Sequence, residues 1–192
     1  DYGRSRGLGD VYKRQAYYSK IKNVDQIIEN ISNLKNPKGR FDLINFKTNK
    51  IIVDYAHTPE SISQVIKYVN PYFSKVVVLF GAGGNRDKEK RKLMGTASQL
   101  ADSVIVTNDN PRNEDPIQIS NDILKGCDLS KTTVILDRKE AITSAINELR
   151  ENSVLLVLGK GHEMYQEINN SHIPFNDNDF INKTIGGLIW LQ

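Results

Sequence analysis

The sequence predicts an α/β fold with a doubly wound, mostly parallel sheet. Three observations carry that prediction. Short apolar runs alternate with helix-like stretches along most of the chain. Several of those runs, such as "KVVVLF" (75–80) and "SVLLVL" (153–158), are apolar on successive residues, as strands covered on both faces must be. The polar and glycine-rich segments follow the runs, where an open parallel sheet binds its ligands.

The elements follow in order. "VDQIIENISNL" (24–34) spaces Val24, Ile27, Ile28, Ile31 and Leu34 as one apolar helix face, and "NPKG" (36–39) breaks it. "RFDLINF" and "KIIVDYA" read as two strands joined by a "KTNK" turn. The second of these is set at 51–55, further strands are predicted at 75–80, 103–107, 132–136 and 153–158, and helices at 59–69, 88–100, 116–125 and 138–149. Thr58-Pro59 and Asp115-Pro116 each supply a capping side chain and then a proline for the first helical turn.

Composition narrows the function classes. The 192 residues are 39% hydrophobic and 26% charged, ordinary for a globular protein with one sizeable core. A single cysteine, Cys127, rules out an internal disulfide and favours a reducing compartment. The longest apolar runs are too short to cross a bilayer. The net charge of +3 owes two units to residues 1–15, and the remainder carries 22 basic against 21 acidic side chains. Without a basic stripe or interleaved aromatics, nucleic acid is not an expected partner. Residues 1–15 have no helical or strand period. They read as a non-native or disordered leader with a junction near Gln15, or as an ordinary polar linker, and both readings stay open.

Four loops carry the chemistry. "FGAGGNRDKEKR" sets three glycines between a strand and a helix, with Arg86 able to clamp a carboxylate or phosphate. A tight strand–helix turn needs glycine in any case. The spacing matches neither a dinucleotide fingerprint, which disfavours an NAD-dependent oxidoreductase, nor a Walker A loop. "DYAHTP" places Asp54 and His57 at a strand end, suited to a ribose hydroxyl and a base, though a capped turn with a surface histidine fits the same residues. "GKGHE" offers Glu163 to an ammonium group and Gly159 for close backbone approach; a glycine turn with an exposed Lys and Glu is the plainer alternative. "DNPR" (109–112) combines a proline that stiffens the loop, an amide with donor and acceptor, and a guanidinium fork that fits a carboxylate. An Asn-Pro turn with a solvated arginine would look the same. No Cys or His cluster has metal-ligand spacing.

Taken together, "GRFD", "VDYAHTP", "FGAGGNRDKEKRKLMG", "VTNDNPRNEDP" and "GKGHEMYQ", in that order, resemble the Mur ligase family in its MurE type, from about Gly39 to the end. These enzymes add the third amino acid to UDP-N-acetylmuramoyl-L-alanyl-D-glutamate in peptidoglycan synthesis, and "DNPR" resembles their meso-diaminopimelate signature. The resemblance implies a Rossmann-like C-terminal domain that presents the amino acid (47–192) after the tail of a central ATPase domain (16–46). It implies ATP and Mg2+, with the P-loop and the magnesium ligands in sequence outside this chain. It also implies a cytoplasmic enzyme, missing N-terminal and central domains as partners, and a fragment inactive alone, with no catalytic residue of its own. By motif, Arg40, Asp54 and His57 resemble nucleotide contacts. Arg86, Asp109, Asn110, Pro111, Arg112, Gly159 and Glu163 resemble diaminopimelate contacts. Asp42 stands where a glutamate is common in the motif.

The family reaction is an amide ligation through an acyl phosphate, carried by positioning and charge neutralisation. Diaminopimelate ends in a distal zwitterion where lysine has a bare ammonium. Arg112 would attract the extra carboxylate and repel lysine. At about 1.5–3 kcal/mol per charge-assisted hydrogen bond, discrimination above about a hundredfold is within reach. All of this requires Arg112 to face one cleft together with Arg86 and Glu163. A lysine-adding ligase of the same family and a non-catalytic amino-acid or nucleotide-binding Rossmann-like module are the alternatives.

Overall fold

A computed structural model describes residues 37–189. The helix expected over 24–34 and the leader 1–15 lie outside the described residues. The compact unit begins at Lys38.

A six-stranded sheet runs through this unit. Its strands are β1 (Asp42–Phe46), β2 (Asn49–Asp54), β3 (Lys75–Phe80), β4 (Ser103–Val106), β5 (Thr132–Val134) and β6 (Ser153–Leu158), in the spatial order β1-β2-β6-β3-β4-β5. All pairings are parallel except β1 with β2, an antiparallel edge hairpin. The Phe46/Lys47 junction, which the sequence reading set between two domains, therefore lies inside a hairpin of one sheet.

The consecutive apolar residues divide by parity, because successive side chains point to opposite faces. Ile52, Val76, Val78, Phe80, Val104 and Leu156 pack on one face against Ile62, Ile66, Met94 and Ile123. These four come from helices α1 (Pro59–Val69), α2 (Glu89–Ser98) and α3 (Pro116–Leu124). Ile51, Val53, Val77, Leu79, Ile105 and Leu155 pack on the other face, against Ile142, Ile146, Ile181 and Ile185. Those belong to α4 (Arg138–Asn147) and α5 (Asp177–Ile189). The sheet is thus covered on both sides, as a doubly wound fold requires.

Helix starts match their caps. The Thr58 hydroxyl accepts from Ser61 N–H and Ser61 Oγ accepts from Thr58 N–H, a reciprocal capping box, with Pro59 next. Asp115 accepts from Ile117 N–H ahead of Pro116. Boundaries moved by a residue or two. The strand expected over 132–136 closes at Val134, on the sheet's exposed edge. The helices expected over 88–100 and 138–149 end at Ser98 and Asn147. No expectation covered α5, the short 3-10 helix Asn70–Tyr72, or a separate hairpin of β7 (Tyr165–Ile168) and β8 (Ser171–Pro174). That hairpin turns on Asn169 and Asn170, both with positive φ (48° and 59°), the conformation asparagine tolerates in two-residue turns.

Candidate functional site

The carboxyl ends of β2, β6, β3 and β4 lie side by side. The loops that leave them line one open cavity of about 340 Å³. Its wall includes Tyr55 and His57 after β2, Gly81, Gly83 and Arg86 after β3, Asp109, Asn110 and Arg112 after β4, and Gly159 and Glu163 after β6. The cleft that the sequence reading required for Arg86, Arg112 and Glu163 is present.

Three glycines let these loops interlock. A Cβ on Gly84 would collide with the Pro111 carbonyl, one on Gly81 with the Thr107 carbonyl, and one on Gly159 with the Asp109 carboxylate. Gly84 N–H donates to Asn110 O at 2.8 Å. The bare backbone of the "GAGG" turn is thus used by the protein's own 107–112 loop. Pro111 does not line the cavity; its carbonyl seats against Gly84.

Charge around the cavity is organised by residues that the sequence reading passed over. Lys160, read as an exposed turn lysine in the plainer alternative, is fully buried. Its ammonium donates to Glu163 Oε2 (2.8 Å), Asn110 Oδ1 (3.1 Å) and the Tyr165 carbonyl (2.6 Å). Asn110 Nδ2 also donates to Glu163 Oε2, at 2.8 Å. Burial opposes the Glu163 charge, but the hydrogen bonds from Lys160 and Asn110 and the charges of Lys160 and Arg112 outweigh it, so the carboxyl titrates below its usual range. Asp109 differs. It is buried, and none of the described side chains donates a hydrogen bond to its carboxylate at the cavity wall. Burial raises its pKa despite the positive charges of Arg138 and Lys160, with Glu163 and Asp177 adding to the rise.

Arg112 adopts φ 52° and sits on the wall with its guanidinium tied at two points, Nε to Glu167 Oε2 and Nη1 to Gly84 O, both 2.8 Å. Arg86 is exposed on the same wall, and no acceptor among the described residues engages it. Buried Arg91 braces this side, reaching the Gly83 carbonyl (3.3 Å), Glu114 and Asp122.

Two of the nucleotide candidates, Arg40 and His57, gather around Tyr55, itself missed from sequence. The Arg40 guanidinium lies 4.9 Å from the centre of the Tyr55 ring. His57 packs edge-on to that ring at 4.7 Å, and His162 lies at 5.4 Å. Of Arg40, Asp54 and His57, His57 alone lines the cavity. Asp54 accepts from the N–H groups of Phe41 and Ala56, each at 2.8 Å, so its carboxylate fixes the turn. Asp42 accepts from Gly39 N–H and from Asn178, which ties the "GRFD" turn to α5.

The family model described as "Mur ligase, glutamate ligase domain" matches residues 39–161. The UDP-N-acetylmuramoyl-L-alanyl-D-glutamate–2,6-diaminopimelate ligase of Rickettsia prowazekii (strain Madrid E) is 46% identical over 171 residues, covering 87% of this chain and 35% of the relative. The protein of the same name from Rickettsia montanensis is 45% identical over 165 residues, or 84% of this chain and 34% of the relative. A solved structure of a ligase with that name superposes with a TM-score of 0.76 at 34% identity, covering 92% of this chain and 37% of the other. The chain spans about a third of the length of the curated relatives it matches.

Proposed function

Because the chain belongs to the Mur ligase family, we propose that it is the amino-acid-presenting C-terminal part of an ATP-dependent ligase that adds meso-diaminopimelate to UDP-N-acetylmuramoyl-L-alanyl-D-glutamate. One observation carries this reading. Arg86, Arg112, Asp109 and Glu163 meet on a single cavity wall, offering two cations and two carboxylates to a small dicarboxylic diamine. Arg112 and Arg86 would take the carboxylates. Asp109, buried and without a donor among the described side chains, would take an ammonium, and Glu163 would add negative charge beside it.

The Arg40, Tyr55, His57 and His162 cluster fits the rim of a nucleotide, with an aromatic face and a guanidinium on one side and two imidazoles beside it. ATP would supply the phosphoryl group that activates the acceptor carboxylate. The work of this chain would be to hold the attacking amine in line and close over the nucleotide. The P-loop and magnesium ligands would come from the rest of the ligase, and the tail of its ATPase domain would end ahead of β1, since β1 belongs to this sheet. The reading puts the enzyme in the cytoplasm, where ATP is held. No helix among the described residues is long and apolar enough to cross a membrane.

The test is Arg112→Ala in the complete ligase that carries this domain. The ratio of kcat/KM for meso-diaminopimelate over lysine is expected to fall by about tenfold or more, the worth of one charge-assisted hydrogen bond. An unchanged ratio in a folded variant rejects the assignment.

A further inference from the structure

An arginine free in water samples many rotamers, and ordering it on binding weakens the ligand's hold. Arg112 has no such freedom. Its N–H donates to the Glu167 carbonyl at 2.9 Å, and its carbonyl accepts from Asn169 N–H at 2.8 Å. These bonds dock the "DNPR" loop along β7 as a short parallel bridge between Arg112 and Ile168. Glu167 N–H in turn donates to Asn110 Oδ1 at 2.9 Å, and Gln166 Nε2 to the Asp109 carbonyl at 2.9 Å. The side chain is then held by Glu167 Oε2 on Nε and by Gly84 O on Nη1. Nη2 carries no acceptor from the described residues. Arg112 lines the cavity and Glu167 does not. The Glu167 carboxylate thus holds the guanidinium through Nε without itself forming part of the cavity wall.

We infer that Glu167 is a positioning residue for amino-acid selection. Through β7 and its own carboxylate it fixes the Arg112 guanidinium, so that the remaining N–H groups meet a ligand carboxylate without first being ordered. This rests on the amino-acid site proposed above. Among the described residues no hydrogen bond or ion pair joins Glu167 to Arg40, Tyr55 or His57; its side chain pairs with Arg112. Its loss should fall on amino-acid binding and spare turnover.

In the complete ligase, Glu167→Ala is expected to raise KM for meso-diaminopimelate by about three- to tenfold, the worth of ordering one long side chain. It should leave kcat and the KM for ATP within about twofold and narrow the preference over lysine. Glu167→Gln, whose amide oxygen can still accept from Nε, should recover most of the loss. The inference is overturned by an unchanged KM and preference, by losses spread equally over kcat, both KM values and thermal stability, or by a glutamine variant as impaired as alanine. If the alanine variant does not fold, Glu167→Asp decides: a selective rise in KM supports the role and an unaltered KM rejects it. Arg112→Ala runs in parallel. If that variant alone loses the preference, the positioning role falls and the site stands. If neither variant does, the site reading falls too.

Discussion

Asp109 and Glu163 sit on one wall and titrate in opposite directions, which a denaturation series can read. Burial lifts the folded-state pKa of Asp109 above its unfolded value. Its contribution to stability is fully present below the unfolded value and is lost as pH rises through the folded one. Glu163 is the reverse: burial works against its charge, but Lys160, Asn110 and Arg112 pull its folded value down. Its contribution is present above the unfolded value and is lost as pH falls through the folded one. Chemical denaturation of this chain across the acid range should therefore show the stability of wild type relative to Asp109→Asn falling with rising pH. Relative to Glu163→Gln it should rise. Parallel, pH-independent offsets would contradict both assignments. An ammonium ligand beside Asp109 would favour its charged form, so the aspartate suits a cation better than it suits an empty cleft.

At the scale of elements, the loops hold one another more than they hold solvent. The turn after β3 and the loop after β4 interlock at Gly84, where any Cβ would overlap the Pro111 carbonyl. Gly84→Ala should therefore cost about 1–3 kcal/mol, as overpacking does. It should also weaken amino-acid binding, because Arg112 Nη1 is bonded to the Gly84 carbonyl. Equilibrium urea unfolding checks the first outcome and KM for the amino acid in the complete ligase checks the second. A variant as stable as wild type would mean the two loops are not locked. The β7–β8 hairpin plays the matching part from the other side. It has few core contacts of its own, with β8 exposed throughout, yet its backbone registers the "DNPR" loop.

Across the whole molecule, one buried ion pair joins the parts beneath the cavity. Arg138, at the start of α4, donates through Nε and Nη2 to the Asp177 carboxylate of α5, both at 2.8 Å. The same guanidinium reaches the carbonyls of Leu158 (3.1 Å), at the end of β6, and Asn108 (3.3 Å), in the loop just after β4. Both side chains are fully buried. Arg138→Ala leaves Asp177 uncompensated and should cost about 3–5 kcal/mol, whereas Arg138→Met with Asp177→Leu should cost clearly less than the two single changes together. Additive costs in denaturant unfolding would show that the two groups do not act as a pair. The sequence alone determined the sheet, its parallel sense and the four loops at its carboxyl rim. Apolar runs, capping residues and turn residues act over a few positions, so they are visible in a linear reading. The places of Arg86, Arg112 and Glu163 on that rim were legible for the same reason, each standing in a short unusual motif. Lys160, Glu167, Arg138 and Asp177 were not. A lone charged residue looks like a solvated one until its partner is known, and Arg112 lies 55 residues from Glu167 in sequence, Arg138 39 from Asp177. Only the tertiary structure decided which charges are buried together. That pairing is set by where the sheet brings distant loops within hydrogen-bond distance, and no local pattern encodes it.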